Sequence, residues 1–112
     1  MAITNETMKA HLFLRDMYED SYFPDLCVDK VKEVLVRLCE RIEQDQPADL
    51  DALYRLTHAA TEDINDLEDF FGEHDSEIET GAREAIAADF ERIASAYGFD
   101  ADIEELIAPR DW

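Results

Sequence analysis

One carboxylate of this sequence, Asp89, is predicted to lie on the buried face of a helix. At 100° per residue, four apolar residues surround it on the helical wheel: Ala82, Ala85, Ile86 and Ile93. A carboxylate there must be paired, hydrogen-bonded or protonated, because burying an unpaired charge costs much free energy. We expect an ion pair with Arg83 or Arg15, or a hydrogen bond to a tyrosine or the backbone. The alternative is a carboxylate that lines a binding pocket with a shifted pKa.

A polar stripe with metal-binding residue types follows the predicted third helix. Its members are spaced at i, i+4, i+7 and i+11: His58, Glu62, Asn65 and Asp69. Histidine and glutamate at i, i+4 can share a metal ion. The stripe points away from the apolar face, however, and no histidine follows a glutamate at the Glu-x-x-His spacing of di-iron bundles. We therefore expect a solvated polar face without a metal or cofactor, and metal binding by His58 and Glu62 is the alternative.

No residue pattern in the chain is typical of covalent catalysis or phosphate binding. No local pattern places a serine, threonine or cysteine beside a base that is itself oriented by a third group. The three glycines, Gly72, Gly81 and Gly98, are isolated and form no phosphate-binding loop. The sequence therefore favours a protein that is not an enzyme.

The distribution of charge departs most strongly from an ordinary protein surface. The 112-residue chain has 29 Asp and Glu against 10 Lys and Arg, a formal net charge of -19. Residues 61–79 contain nine carboxylates and no Lys or Arg. Such a balance argues against binding to nucleic-acid phosphates, which requires a basic surface. The acidic run is interpreted as a solvated surface, as a docking face for a basic protein, or as a calcium site that lacks the EF-hand loop.

Apolar periodicity predicts helices along almost the whole chain. They are expected over about residues 5–20, 24–44, 48–73 and 77–97, with a short helix over about 101–107. The second helix has the cleanest core stripe, and short connections between long helices imply antiparallel neighbours. The prediction is an all-α fold in a single domain, residues 1–112. Its architecture is a four-helix, up-and-down-like bundle with a short fifth helix at the C-terminus.

Local signals predict where the last two long helices begin and end. Ser76 followed by Glu79 is typical of a capping box at the start of the fourth helix. Gly98 followed by Phe99 is typical of a left-handed stop at its end. Gly81, inside this helix, is interpreted as a close helix crossing.

The two cysteines and the absence of targeting segments indicate a cytoplasmic protein. Cys27 and Cys39 lie about 18 Å apart along one predicted helix, too far for a disulfide, so we expect both to be reduced and buried. The N-terminus lacks the basic and apolar regions of a signal peptide. No apolar stretch is long enough to span a bilayer.

Three segments of the chain resemble a small bacterial family of unknown function: residues 56–62, 75–80 and 104–112. The resemblance extends over nearly the whole chain from about Tyr22. It implies a single helical domain and supplies no activity. It points to one shared patch, provided that residues 57–62 and the tail lie on the same side of the domain. The members of this patch are Thr57, His58, Thr61, Glu62, Ser76, Glu77, Glu79, Arg110 and Trp112.

Trp112, the last residue, is expected to pack against the bundle and to fix the end of the chain. The alternative is an exposed anchor for a partner, since Trp and Arg are enriched at the centres of interfaces.

These observations predict a cytoplasmic, non-enzymatic interaction protein with an acidic face for a basic partner. The alternative is a helical bundle that binds a small molecule or a metal through Asp89 or through His58 and Glu62. A third possibility is a homodimer in which the basic side of the second helix meets an acidic helix of another copy. That basic side consists of Lys30, Arg37 and Arg41.

Overall fold

The computed structural model describes residues 3–112, and this part of the chain contains helices and no strand. Seven helices follow one another: α1 (Glu6–Ala10), α2 (Arg15–Glu19), α3 (Asp25–Asp45), α4 (Leu50–Asn65), α5 (Glu68–Glu73), α6 (Thr80–Ala96) and α7 (Ile103–Leu106). The predicted all-α fold is confirmed. Three of the helices are long, namely α3, α4 and α6, and the other four have six residues or fewer.

Helix α3 supplies the central stripe of the core. It packs most extensively against α4 and also contacts α2 and α6. All eight residues of its predicted apolar face are buried: Cys27, Val28, Val31, Val34, Leu35, Leu38, Cys39 and Ile42. Burying each of the larger aliphatic side chains contributes about 1.5–3 kcal/mol, so this helix is the main source of hydrophobic stabilisation.

The first predicted helix, residues 5–20, is interrupted between α1 and α2. On one straight helix Met8 and Met17 would point in opposite directions, because nine residues advance the helix by about 180° beyond full turns. The interruption lets both side chains enter the core. Leu14 precedes α2 in the left-handed conformation, with φ 56°, which costs about 1–2 kcal/mol for a residue with a Cβ. Residues 11–14 are called the α1–α2 joint below.

The third predicted helix, residues 48–73, is also interrupted, at Asp66 and Leu67. Asn65 and Asp66 are weak helix formers because their side chains compete for backbone hydrogen bonds. Helix α5 then ends without using Gly72 as its stop. Asp75 takes the left-handed conformation instead, with φ 58°.

The start of α6 differs from the predicted capping box. Glu79 is the N-cap, and its carboxylate accepts a hydrogen bond from the Gly81 amide at 3.0 Å. Ser76 is buried and donates instead to the Tyr22 carbonyl at 3.2 Å. A Cβ at Gly81 would meet only the Glu79 side chain, so the predicted helix crossing at this glycine is wrong.

The predicted stop at the end of α6 is confirmed. Gly98 has φ 85°, and the Phe99 amide donates to the Ala94 carbonyl at 2.9 Å, which is the bond of a Schellman motif. Helix α7 begins two residues later than expected, because Asp102 caps it by accepting from the Glu104 amide.

Both cysteines are free and buried, as predicted. Desolvation is the main cause that raises the pKa of the Cys39 thiol, to about 12. None of the helices in residues 3–112 combines the length and apolar character required to cross a bilayer.

Glu43, on α3, fastens the N-terminal segment to the rest of the fold. Its carboxylate accepts hydrogen bonds from the Thr4 amide at 3.0 Å, the Asn5 amide at 3.0 Å and the Tyr97 hydroxyl at 2.5 Å. The Asn5 side chain in turn donates to the Ala96 carbonyl at 2.9 Å. Although burial opposes ionisation, these donors hold the pKa of Glu43 at about 2.

The hydrogen bonds to the Glu43 carboxylate predict a pH dependence of the free energy of unfolding. A carboxyl whose pKa falls from 4.5 to about 2 on folding stabilises the fold above pH 4.5, and this contribution is lost as the pH falls toward 2. Urea unfolding across this window should therefore show a larger loss of unfolding free energy for the wild type than for Glu43→Gln. Glu33→Gln, an exposed change on the same helix, should behave like the wild type. Parallel losses in all three proteins would contradict this role of Glu43.

Candidate functional site

Asp89 is buried near the middle of α6, as predicted, with 6% of its surface exposed. One carboxylate oxygen, Oδ1, lies 2.8 Å from Nε2 of His11. The other, Oδ2, accepts a hydrogen bond from the Leu14 amide, also at 2.8 Å. Both oxygens are therefore satisfied by the α1–α2 joint, and the carboxylate links this joint to α6.

The predicted arginine partners of Asp89 are wrong. Arg15 pairs with Glu19 at 3.2 Å on the protein surface, and Arg83 donates to the Thr80 hydroxyl at 2.9 Å. Backbone bonding was among the expected solutions, but His11 was missed because residues 5–20 were interpreted as one helix. The signal in the sequence was the two-sided apolar pattern of that segment, which a straight helix cannot bury.

A pocket of about 450 Å³ opens between the α1–α2 joint and α6. His11 and Asp89 lie in its wall, together with the charged side chains of Arg15, Asp16 and Arg92. Because a carboxylate only accepts hydrogen bonds, Nε2 of His11 donates to Asp89, and this bond fixes the orientation of the imidazole ring. The pocket thus presents two guanidinium groups and an oriented imidazole.

The C-terminal segment is bound along α4 by the polar stripe. Nε2 of His58 donates to the Glu105 carbonyl at 2.6 Å. The Asn65 side chain donates to the Pro109 carbonyl at 3.0 Å and accepts from the Asp111 amide at 2.9 Å. Residues 57–62 and the tail therefore lie on the same side of the domain. The expectation that the polar stripe is solvated is wrong for two of its four residues, because His58 and Asn65 bind the C-terminal segment.

The remaining predicted residues of α4 and the tail are mostly buried in the same region. The Thr61 hydroxyl donates to the Thr57 carbonyl at 2.8 Å, and both threonines are buried. Trp112 is 8% exposed, so the prediction that it packs against the bundle is confirmed. Its indole N–H has no hydrogen-bond partner in residues 3–112. Arg110 lies 3.5 Å from the Glu104 carboxylate across α7.

The other residues of the predicted patch form no hydrogen bond or ion pair with the tail within residues 3–112. Glu62 is on the exposed side of α4. Glu77 and Glu79 lie beside Tyr22, where desolvation and then these two charges raise the pKa of the tyrosine hydroxyl. Across residues 3–112 there is no group of three or more His, Cys, Asp or Glu side chains that could hold a metal ion.

The family of this protein follows from its sequence. Residues 7–112 match the model of a family described as a family of unknown function, DUF5713. The chain belongs to this family. No curated protein and no solved structure gives a significant match. The DUF5713 match includes both His11, at the α1–α2 joint, and the tail that ends in Trp112, so the family model extends over the two regions described above.

The tail contacts predict a specific effect of Asn65. Replacing Asn65 with alanine removes two hydrogen bonds and should lower the free energy of unfolding by about 1–3 kcal/mol. Because Trp112 is the one tryptophan of the chain, its emission reports directly on the tail. We expect a red shift and greater quenching by iodide in Asn65→Ala, whereas Asp66→Ala should resemble the wild type. Unchanged emission in Asn65→Ala would show that the tail is held by other contacts.

Proposed function

We propose that this protein binds a basic partner protein through an acidic surface formed by the end of α4, by α5 and by the loop before α6. The carboxylates of this acidic surface are Glu62, Asp63, Asp66, Glu68, Asp69, Glu73, Asp75, Glu77 and Glu79. All except Glu79 are exposed. None of them forms a salt bridge with another described residue.

The observation that carries the proposal is the position of Glu62 and Asp63 in the last turn of α4, which contains no basic residue. The C-terminal end of a helix carries partial negative charge, so an acidic side chain there costs about 0.3–1 kcal/mol. Glu62 also lies four residues before Asp66, and like charges at this spacing repel. The fold gains nothing from these two charges, which favours a role toward a partner.

Lys30 lies near the acidic surface, and Arg83 follows Glu79 by four residues on α6. The ammonium group of Lys30, on α3, is 5.9 Å from the centre of the Phe70 ring in α5. These two cations leave a large excess of negative charge on nine carboxylates. Such an excess raises the association rate with a basic protein, and the effect weakens with salt because charges more than about 8 Å apart are screened at physiological ionic strength.

The proposal predicts opposite changes in stability and in binding for one double variant. Glu62→Gln with Asp63→Asn should raise the free energy of unfolding by about 1 kcal/mol at low salt, since it removes two unfavourable charges. The same variant should lose partners that the wild type retains from a lysate of the source organism at low salt and releases at high salt. Urea unfolding and a pull-down measure the two effects.

A matched control separates the acidic surface from net charge. Glu84→Gln with Glu91→Gln removes two exposed charges from α6, so it changes the net charge equally and should leave partner retention unchanged. If both double variants lose the same partners to the same degree, or if the wild type retains no salt-sensitive basic protein, the proposed docking role is wrong.

A further inference from the structure

We propose that the pocket between the α1–α2 joint and α6 binds a small organic anion, through the guanidinium groups of Arg92 and Arg15. This site is separate from the acidic surface and does not depend on the function proposed for it. The ligand class follows from three features of the pocket: Arg92 without a partner, Arg15 with an exposed partner, and an apolar lining.

The guanidinium group of Arg92 has no hydrogen bond or ion pair with any residue in the described range 3–112. Arg37 and Arg55 also have no such partner, but Arg92 is the one of the three that lines the pocket beside Asp89. Asp89 lies three residues before it on α6 and could pair with it at that spacing. Both oxygens of Asp89 are instead occupied by His11 and the Leu14 amide. The fold thus leaves Arg92 available to an external carboxylate or phosphate.

Arg15 adds a second guanidinium that a ligand can recruit. Both side chains of the Arg15–Glu19 ion pair are exposed. Because such surface pairs contribute about 0–1 kcal/mol, replacing Glu19 with a ligand as the partner of Arg15 costs little free energy. Asp16 and Asp89 also line the pocket, and both carboxylates oppose an anion there. The Asp89 carboxylate is bound by His11 and the Leu14 amide, whereas Asp16 is exposed and can be changed without breaking those bonds. This opposition provides a test, because removing the Asp16 charge should strengthen binding.

The remaining lining favours an organic anion over an inorganic one. Ala10, Ala85 and Ala88 form apolar parts of the wall, and Leu12, beside them, is 67% exposed. A ligand with a carbon skeleton would cover this apolar surface. The volume of about 450 Å³ lies within the range of about 300–1,000 Å³ that is typical of small-molecule sites.

The experiment measures binding of four probes to the full chain by protein-observed NMR. Benzoate and phenyl phosphate represent the carboxylate and phosphate classes. Benzamide is the neutral counterpart, and inorganic phosphate lacks the apolar body. We expect saturable shifts at His11, Leu12 and Arg92 with benzoate or phenyl phosphate, and the tighter of the two identifies the class. No saturable binding by either, or equal binding of benzamide or inorganic phosphate, would overturn the proposal.

Exposed variants test the residues without disturbing the fold. Arg92→Gln should weaken binding of the tighter probe about tenfold, the value of one charge-assisted hydrogen bond. Arg83→Gln, an exposed change on the same helix, should have no effect. Asp16→Asn should strengthen binding a few-fold, which a purely structural role would not produce. Equal affinities in Arg92→Gln and Arg83→Gln, or weaker binding in Asp16→Asn, would contradict the assignment.

Discussion

The buried carboxylate of Asp89 constrains the path of the chain between α1 and α2 and how this segment packs on α6. A charge in the core is tolerated only when its oxygens are satisfied, and leaving it unpaired would cost several kcal/mol. Here the donors are the His11 ring and the Leu14 amide, each at 2.8 Å. To present both, the chain must leave the helical conformation between α1 and α2. The left-handed Leu14 and the two short helices that pack on α6 follow from this requirement.

The two ends of the described chain are held in a similar way, by polar side chains of the long helices rather than by apolar contacts alone. Glu43 of α3 binds the backbone at Thr4 and Asn5, and Asn65 of α4 binds the backbone at Pro109 and Asp111. Each side chain forms hydrogen bonds with backbone groups that have no partner within a helix or a turn. Most carboxylates of the acidic surface and the guanidinium group of Arg92 have no comparable structural contact within residues 3–112.

The spacing of apolar residues and end signals along the sequence was sufficient to predict those parts of the structure that depend on a single helix. The buried face of α3, the burial of Asp89 and the stop at Gly98 all follow from spacing along a single helix. The contacts that define the sites join distant residues, and spacing along one helix contains no information about them. His11 and Asp89 are in contact although 78 positions separate them in the sequence. Asn65 and the tail residue that it contacts are more than forty positions apart. The interruption at residues 11–14 depends on the same distant contact, because the His11 side chain and the Leu14 amide bind Asp89 there. The interruption at residues 66–67 instead follows the weak local helix propensity of Asn65 and Asp66.

The coupling between His11 and Asp89 is therefore the most direct test. A double-mutant cycle with His11→Ala and Asp89→Asn, followed by urea unfolding at neutral pH, isolates the interaction between the two side chains. The account predicts a coupling free energy of about 1.5–3 kcal/mol, the range for a hydrogen bond to a charged group. It also predicts that Asp89→Asn is strongly destabilising in the presence of His11. Additive effects, with a coupling free energy near zero, would contradict the view that this carboxylate organises the fold.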